Sequence, residues 1–330
     1  MIAIHNKKLK YFSSFFKMHK NRIIQYKMTT ITYNKEMLSI ESINAFNPSS
    51  KGLNDANNKT RENIVGAIIN NKIPQTYYEI PEWFALENSI ITYLQQLDTT
   101  RRYSRAICSH KGGRKFNFDF GIKVYYEDGS ETDYNIELKF NASSIDETPQ
   151  FVSPMKPSQY MSNVYEEYYY DEYLTQLALE SGLELPSREL YLKQIHTNNP
   201  KCMKSFQDLY YMGCKQSSKY TNNQNHINFY ELAKKLSHES IITFIENTEL
   251  NIEALSEYLL SSQNEKIYML YSDTKFIVQR PNMDDYKIIS VTKNPTKNRY
   301  ECISKSGIKL NVLLRWKNGN GIAFPAFQIS

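Results

Sequence analysis

Three residues within a short stretch have the types and spacing to do chemistry together: Asp119, Glu137 and Lys139. Two carboxylates offer hard oxygen ligands to a divalent cation such as Mg²⁺. An ammonium adds a mobile point charge with three donors, suited to an anionic oxygen or an attacking water. The competing reading is an ordinary polar face of a hairpin. Which reading holds depends on whether the three side chains share one sheet face.

They lie in "NFDFGIKVYYEDGSETDYNIELKFN", residues 117–141. The even positions Phe118, Phe120, Ile122, Val124 and Tyr126 are apolar, as are Tyr134, Ile136, Leu138 and Phe140. The odd positions, Asp119, Glu137 and Lys139 among them, are mostly polar. Alternate side chains of a strand point to opposite faces, so each strand has one buried and one open face. "EDGS" marks the turn. Both apolar sets must face one core, so paired numbers sum to an even value and the loop is odd. An odd loop such as 128–130 pairs 127 with 131 and sets Asp119 directly across from Lys139, with Glu137 one side-chain repeat away.

An acid on one strand followed by Glu-x-Lys on the next antiparallel strand resembles the PD-(D/E)XK superfamily of restriction-endonuclease-like nucleases. Asp119 matches the first acid, and Glu137-Leu138-Lys139 matches the (D/E)XK. One departure is that Phe118 stands where the motif's proline would be. "PQFVS" (149–153) also resembles the segment after the lysine strand in some viral and phage members. The block runs from about 81 to 153, under a quarter of the chain. Two further Asp-x-Lys triplets, at Asp273 and Asp285, have no preceding strand that brings an acid to their face.

The resemblance implies an α/β (α+β) fold, a mixed sheet flanked by helices, and hydrolysis of phosphodiester bonds with Mg²⁺ or Mn²⁺. It implies Asp119, Glu137 and the Leu138 carbonyl as metal ligands and Lys139 as the group acting on water and phosphate. The helix expected over 81–98, with Pro81 in its first turn, would contribute Glu87 as another acid. Arg114, Lys115 and Gln150 are candidates for contact with nucleic acid. Arg315 and Lys317, on one face of a late strand, are candidates too. DNA is the expected substrate, and a homodimer stays open. Two other readings stand beside this one: a catalytically inactive nucleic-acid-binding protein on a nuclease-like fold, and an interaction protein whose hairpin matches by chance.

The elements that must position these residues are legible in outline. The first segment, 1–50, reads as a basic flexible arm: before Glu36 there are eight basic residues and no acid. The alternative is translation from an upstream start, with Met18 or Met28 the true one. Residues 51–157 read as the core, opening on a turn-rich loop over 46–60. Residues 158–262 carry helical spacing. Residues 263–330 read as a β-rich basic segment completing the same domain, with ten basic residues against three acids between Lys275 and Lys317. That segment is expected to touch phosphate without reading sequence.

Composition narrows the class further. The 330 residues are 41% hydrophobic and 23% charged, with net charge +5, which fits a globular chain with ample core. No apolar run is long enough to span a membrane. Four scattered cysteines and no apolar leader point to a reducing, intracellular and soluble setting, host cytoplasm or nucleus if the source is viral. His196, Cys202, Cys214 and His226 match no compact zinc spacing. No GxxxxGK[ST] loop is present, so no ATPase motor of that kind is encoded.

Overall fold

The structure is a computed structural model. It describes residues 30–48, 51–112, 116–148, 159–197, 199–316 and 325–329. The fold is mixed α/β, and the chain divides into two compact units. The first comprises residues up to Ile145 together with Lys266–Arg280, and the second Asp146–Glu265 with Pro281 onward.

The first unit is built on a five-stranded sheet in the order β3-β4-β5-β6-β7. Its strands are β3 (Tyr103–His110), β4 (Phe120–Tyr126), β5 (Glu131–Phe140), β6 (Ile267–Ser272) and β7 (Lys275–Gln279). All pairs are antiparallel except β5 with β6. Parallel neighbours require a crossover connection, and here the crossover is the long excursion through the second unit. The expected segment 263–330 is therefore cut: 266–280 completes the first sheet and the remainder belongs elsewhere. Nor does the core run on to 157, since the division falls after Ile145.

Two helices pack on this sheet, α1 (Lys51–Ile69) and α2 (Pro81–Gln96). Ile64, Val65 and Ile68 of α1 and Trp83, Leu86, Ile90 and Leu94 of α2 join Phe120, Ile122, Val124 and Ile136 in one core. The even face of the hairpin is thus the buried one, as its alternation requires. The loop expected over 46–60 is instead largely helix. Asparagine-rich sequence is a poor helix former, but Arg61 collects the side-chain oxygens of Asn54 and Asn58 at 2.8 and 2.6 Å and the Ala45 carbonyl at 2.6 Å. Burial of Arg61 makes those bonds obligatory.

The arm expected over 1–50 is also folded in part. A small hairpin, β1 (Ile31–Tyr33) and β2 (Glu36–Leu38), leads into a 3₁₀ segment over Ile40–Phe46. The Trp83 indole donates to the Ile40 carbonyl at 2.9 Å, and Leu38, Ile40 and Phe46 are core residues. Residues 1–29 lie outside the described residues.

The second unit holds α3 (Tyr165–Tyr169), which runs through a π turn at Tyr170–Leu174 into α4 (Thr175–Ser181). It continues with α5 (Arg188–Gln194), α6 (Lys204–Gly213), α7 (Gln224–Asn247) and α8 (Ile252–Asn264). An antiparallel sheet comes next, formed by β8 (Ile288–Asn294), β9 (Arg299–Ser304), β10 (Lys309–Trp316) and β11 (Pro325–Ile329). The many tyrosines are core material here, and two of their hydroxyls bond within it: Tyr165 with Ser240 at 2.7 Å, Tyr300 with the Thr248 carbonyl at 3.1 Å. Among the described residues no helix is long and apolar enough to cross a membrane.

Candidate active site

The hairpin that carries the site is closed by three residues, Glu127-Asp128-Gly129. The Tyr126 N–H donates to the Ser130 carbonyl at 3.0 Å, and the Gly129 N–H to the Tyr126 carbonyl at 3.1 Å. Gly129 has φ +83°, the left-handed position that ends such a loop. That conformation is why the loop is 127–129 and not 128–130: glycine belongs at the third position, not the second. The loop is odd, but every pair shifts by two residues. Phe120 lies opposite Ile136 and Gly121 opposite Asn135. Asp119 therefore comes beside Glu137, and not across from Lys139.

At this point the two strands stop pairing through backbone alone. The Asp119 N–H still donates to the Ile136 carbonyl at 2.9 Å. The Leu138 N–H donates to the Asp119 carboxylate, Oδ2, at 2.8 Å. Glu137 and Lys139 share one face of β5, with Lys139 Nζ 2.7 Å from Glu137 Oε1 and both side chains more than four-fifths buried. One row thus holds Asp119, Glu137 and Lys139.

Two residues join them that carry no signal in the sequence. Lys266, just before β6, is 3% exposed. Its Nζ donates to the Asn117 carbonyl at 3.0 Å and sits 4.0 Å from Glu137 Oε2. Glu62 of α1 is the third acid in the field of Glu137 and Lys139. Burial first, and then Glu137 and Glu36, raise its carboxyl above the usual range. Nothing local marks Lys266; only the parallel pairing of β5 with β6 brings it here. Glu62 stands at the start of the apolar run Ile64-Val65, but the turn-rich stretch before it masks the helix. Glu87, the acid expected from the 81–98 helix, bonds instead to Tyr78, and burial raises its carboxyl.

The electrostatics of the row come from its crowding. Burial, then the Glu137 and Glu62 carboxylates, push Asp119 up to about 8, against the opposing pull of the Leu138 amide and Lys139. Burial lowers Lys266, offset by Glu137. Burial and neighbouring acids both favour the neutral form of a carboxyl, and a cation held between two carboxylates would favour the ionised form. Among the described residues no group of three or more His, Cys, Asp or Glu side chains is arranged to hold a metal ion. Mg²⁺ needs no cage: one or two carboxylates suffice, with water and substrate oxygens completing the shell. The donor set at Asp119 and Glu137 fits that cation.

Among the described residues, no other candidate is brought to this row within the first unit. Arg114, Lys115, Gln150 and Lys317 lie outside the described residues. Arg315 is on β10 opposite Ala326. The basic stretch from Lys275 to Lys317 is split between the two units. Within it, Lys287 and Lys305 pair with Asp284, and Lys293 with Glu249. The histidines and cysteines considered for zinc take separate partners: His196 pairs with Glu166, His226 with Thr221 and Cys214 with Gln216. Comparison with protein-family models, with curated proteins and with solved structures finds no match.

Proposed function

We propose that this chain hydrolyses phosphodiester bonds of nucleic acid, DNA foremost, with Mg²⁺ or Mn²⁺ held at Asp119 and Glu137. The observation that carries the reading is the Asp119 carboxylate bonded to the amide of the residue between Glu137 and Lys139. It puts the three groups of the motif in one partly buried row on a partly open sheet. The resemblance to the PD-(D/E)XK nucleases supports the same assignment.

Each residue has a part. Asp119 and Glu137 supply the carboxylate oxygens, and the Leu138 amide fixes the rotamer of Asp119. Lys139 pairs with Glu137 at 2.7 Å. Its remaining donors serve a phosphoryl oxygen or the attacking water. Lys266 faces Glu137 from a buried position, its ammonium 4.0 Å from Glu137 Oε2. Glu62 adds a third carboxylate for ligation through water. A cation held by Asp119 and Glu137 would polarise a phosphoryl oxygen and lower the pKa of a coordinated water.

The test is cleavage of single- and double-stranded DNA and RNA by the full chain with Mg²⁺, with Mn²⁺ and with chelator, alongside Glu137→Ala. Metal-dependent cutting lost in the variant is the expected result. A folded protein that binds nucleic acid and cuts nothing under any of these conditions replaces this reading with the non-catalytic one.

A further inference from the structure

We infer that Lys111 is a substrate-positioning residue: its ammonium holds the phosphate next to the scissile one, on the β3 side of the acid row. The inference rests on the phosphodiesterase reading for which phosphate is cut, and on the sheet for where the lysine stands.

Backbone bonding brings Lys111 to the row. β3 ends at His110, but its pairing with the β4 side runs on. The Lys111 N–H donates to the Asp119 carbonyl at 2.8 Å, and the Gly112 N–H to the Phe118 carbonyl at 3.1 Å. Ser109 lies opposite Gly121 and His110 opposite Phe120, so Lys111 falls directly opposite Asp119. Directly opposed residues share a sheet face. Lys111, Asp119 and Glu137 therefore stand on one face across three neighbouring strands.

Gly121 gives the lysine its place. Glycine inside a strand often marks a close approach. This one lies on the same face as Asp119, one side-chain repeat of about 6.6 Å along β4. A Cβ there would come within 2.9 Å of Lys111 Cε and 3.0 Å of Ser109 Oγ. The lysine stem thus lies across β4 in the space that a side chain would fill. The floor beside it is small and polar, with Ser109 and Asn135 flanking Gly121 on the two neighbouring strands.

Charge points the same way. Lys139 pairs with Glu137, Lys266 sits 4.0 Å from the same carboxylate, and Lys123 is taken up by Glu131 and Asp133. Among the described residues Lys111 pairs with no acid. It is exposed, and its ammonium lies 5.3 Å from the Phe116 ring centroid. Such an ammonium keeps its donors for an incoming anion. Lys111 leans over Gly121 and not over the acids. The anion it meets is therefore not the phosphate above Asp119 and Glu137 but the next one along the backbone. The substrate then needs consecutive phosphates, which a polynucleotide has and an isolated phosphodiester lacks.

The experiment measures binding apart from cutting. A short fluorescein-labelled DNA strand is titrated with full-length protein in chelator, by anisotropy, at several salt concentrations. Lys111→Met should lower the slope of log affinity against log salt by about 0.7, a loss of about fivefold at about 0.1 M salt relative to about 1 M. Gly121→Ala puts a methyl where the stem lies. Only side chains have to move, so the protein should melt as wild type does and bind like Lys111→Met. The double variant should bind no worse than either single one. Strands carrying a neutral methylphosphonate at each position in turn should reveal one position that costs wild type affinity and costs Lys111→Met nothing. Mapped against the bond cut with Mn²⁺, that position should be the phosphate adjacent to the scissile one. The proposal is overturned if folded wild type binds no strand or if Lys111→Met keeps the wild-type slope. It is equally overturned if Gly121→Ala binds normally, if the two losses add, if no position distinguishes the proteins, or if the position is the scissile phosphate itself. A Lys111 effect on binding without any cleavage removes the phosphodiesterase reading and keeps the contact. Cleavage with no Lys111 effect does the reverse.

Discussion

The Leu138 N–H is bonded to the Asp119 carboxylate at 2.8 Å. A side chain takes the bond at the point where the hairpin's paired register has ended at Phe120 and Ile136. The same contact fixes the acid against the strand that carries Glu137 and Lys139. One N–H does not balance two facing carboxylates and burial, so Asp119 sits high, at about 8.

That value predicts a slope of stability with pH. The folded-state value lies above the unfolded value of about 4. Between the two, the folded protein holds a proton that the unfolded chain has released. Stability therefore falls as pH rises from about 4 to about 8 and levels beyond. Asp119→Asn keeps the acceptor for Leu138 and removes the charge. It should raise the melting midpoint by a few degrees at pH 8 (about 2–4 °C per kcal/mol at this size) and flatten the slope. Saturating Mg²⁺ should lift wild type at pH 8 and not the variant. A wild-type melting point unchanged across this window would contradict the crowding.

Lys266 should behave as a buried countercharge. Lys266→Met keeps the stem and leaves the Asn117 carbonyl without this donor and Glu137 without its buried partner. We expect a loss of about 1–3 kcal/mol by urea denaturation. With Glu137→Gln the two changes should be non-additive by at least about 0.5 kcal/mol. Strict additivity would mean that the 4.0 Å approach carries no interaction.

Much of the fold is legible in sequence, and the gaps have physical causes. Parity gives the faces of β4 and β5, because one face must be buried. It cannot give the register, which Gly129 decides through its left-handed backbone. The middle helices and late strands are legible from spacing. The α1 helix is not, since Arg61 stabilises an asparagine-rich turn that propensity disfavours. Lys266 and Glu62 are hidden for another reason: both reach the site through pairings distant in sequence, and nothing local announces them.

The β6–β7 turn should be improvable. Its two residues, Asp273 and Thr274, both have positive φ, and Ser272 pairs with Lys275 around them. Thr274 is β-branched, and a left-handed L-residue costs about 1–2 kcal/mol. Thr274→Gly removes that cost but adds unfolded-chain entropy, for a net gain of about 0.5–1 kcal/mol in a denaturant midpoint. A loss of stability would show that the bond from the Thr274 hydroxyl to the Asp273 carbonyl outweighs the strain.

The final prediction separates holding the cation from acting on the substrate. Lys139→Met should lower the cleavage rate by about 10²–10³, the usual cost of losing a preorganised charge, while calorimetric titration with Mg²⁺ or Mn²⁺ stays near wild type. Asp119→Asn and Glu137→Gln should weaken both. The division comes from the chemistry of the groups: Lys139 touches Glu137 Oε1 at 2.7 Å, but an ammonium offers a cation no ligand atom, whereas the carboxylates do. All three changes lie on the polar face of β5 and the end of β4, away from the core formed by Phe120, Ile122 and Ile136, so thermal melts should show folded proteins. If Lys139→Met binds metal and cuts as fast as wild type, the lysine is a counter-ion and nothing more. The other ammonium beside Glu137 is Lys266, and Lys266→Met in the same assay then decides whether any ammonium in this row acts on the phosphate.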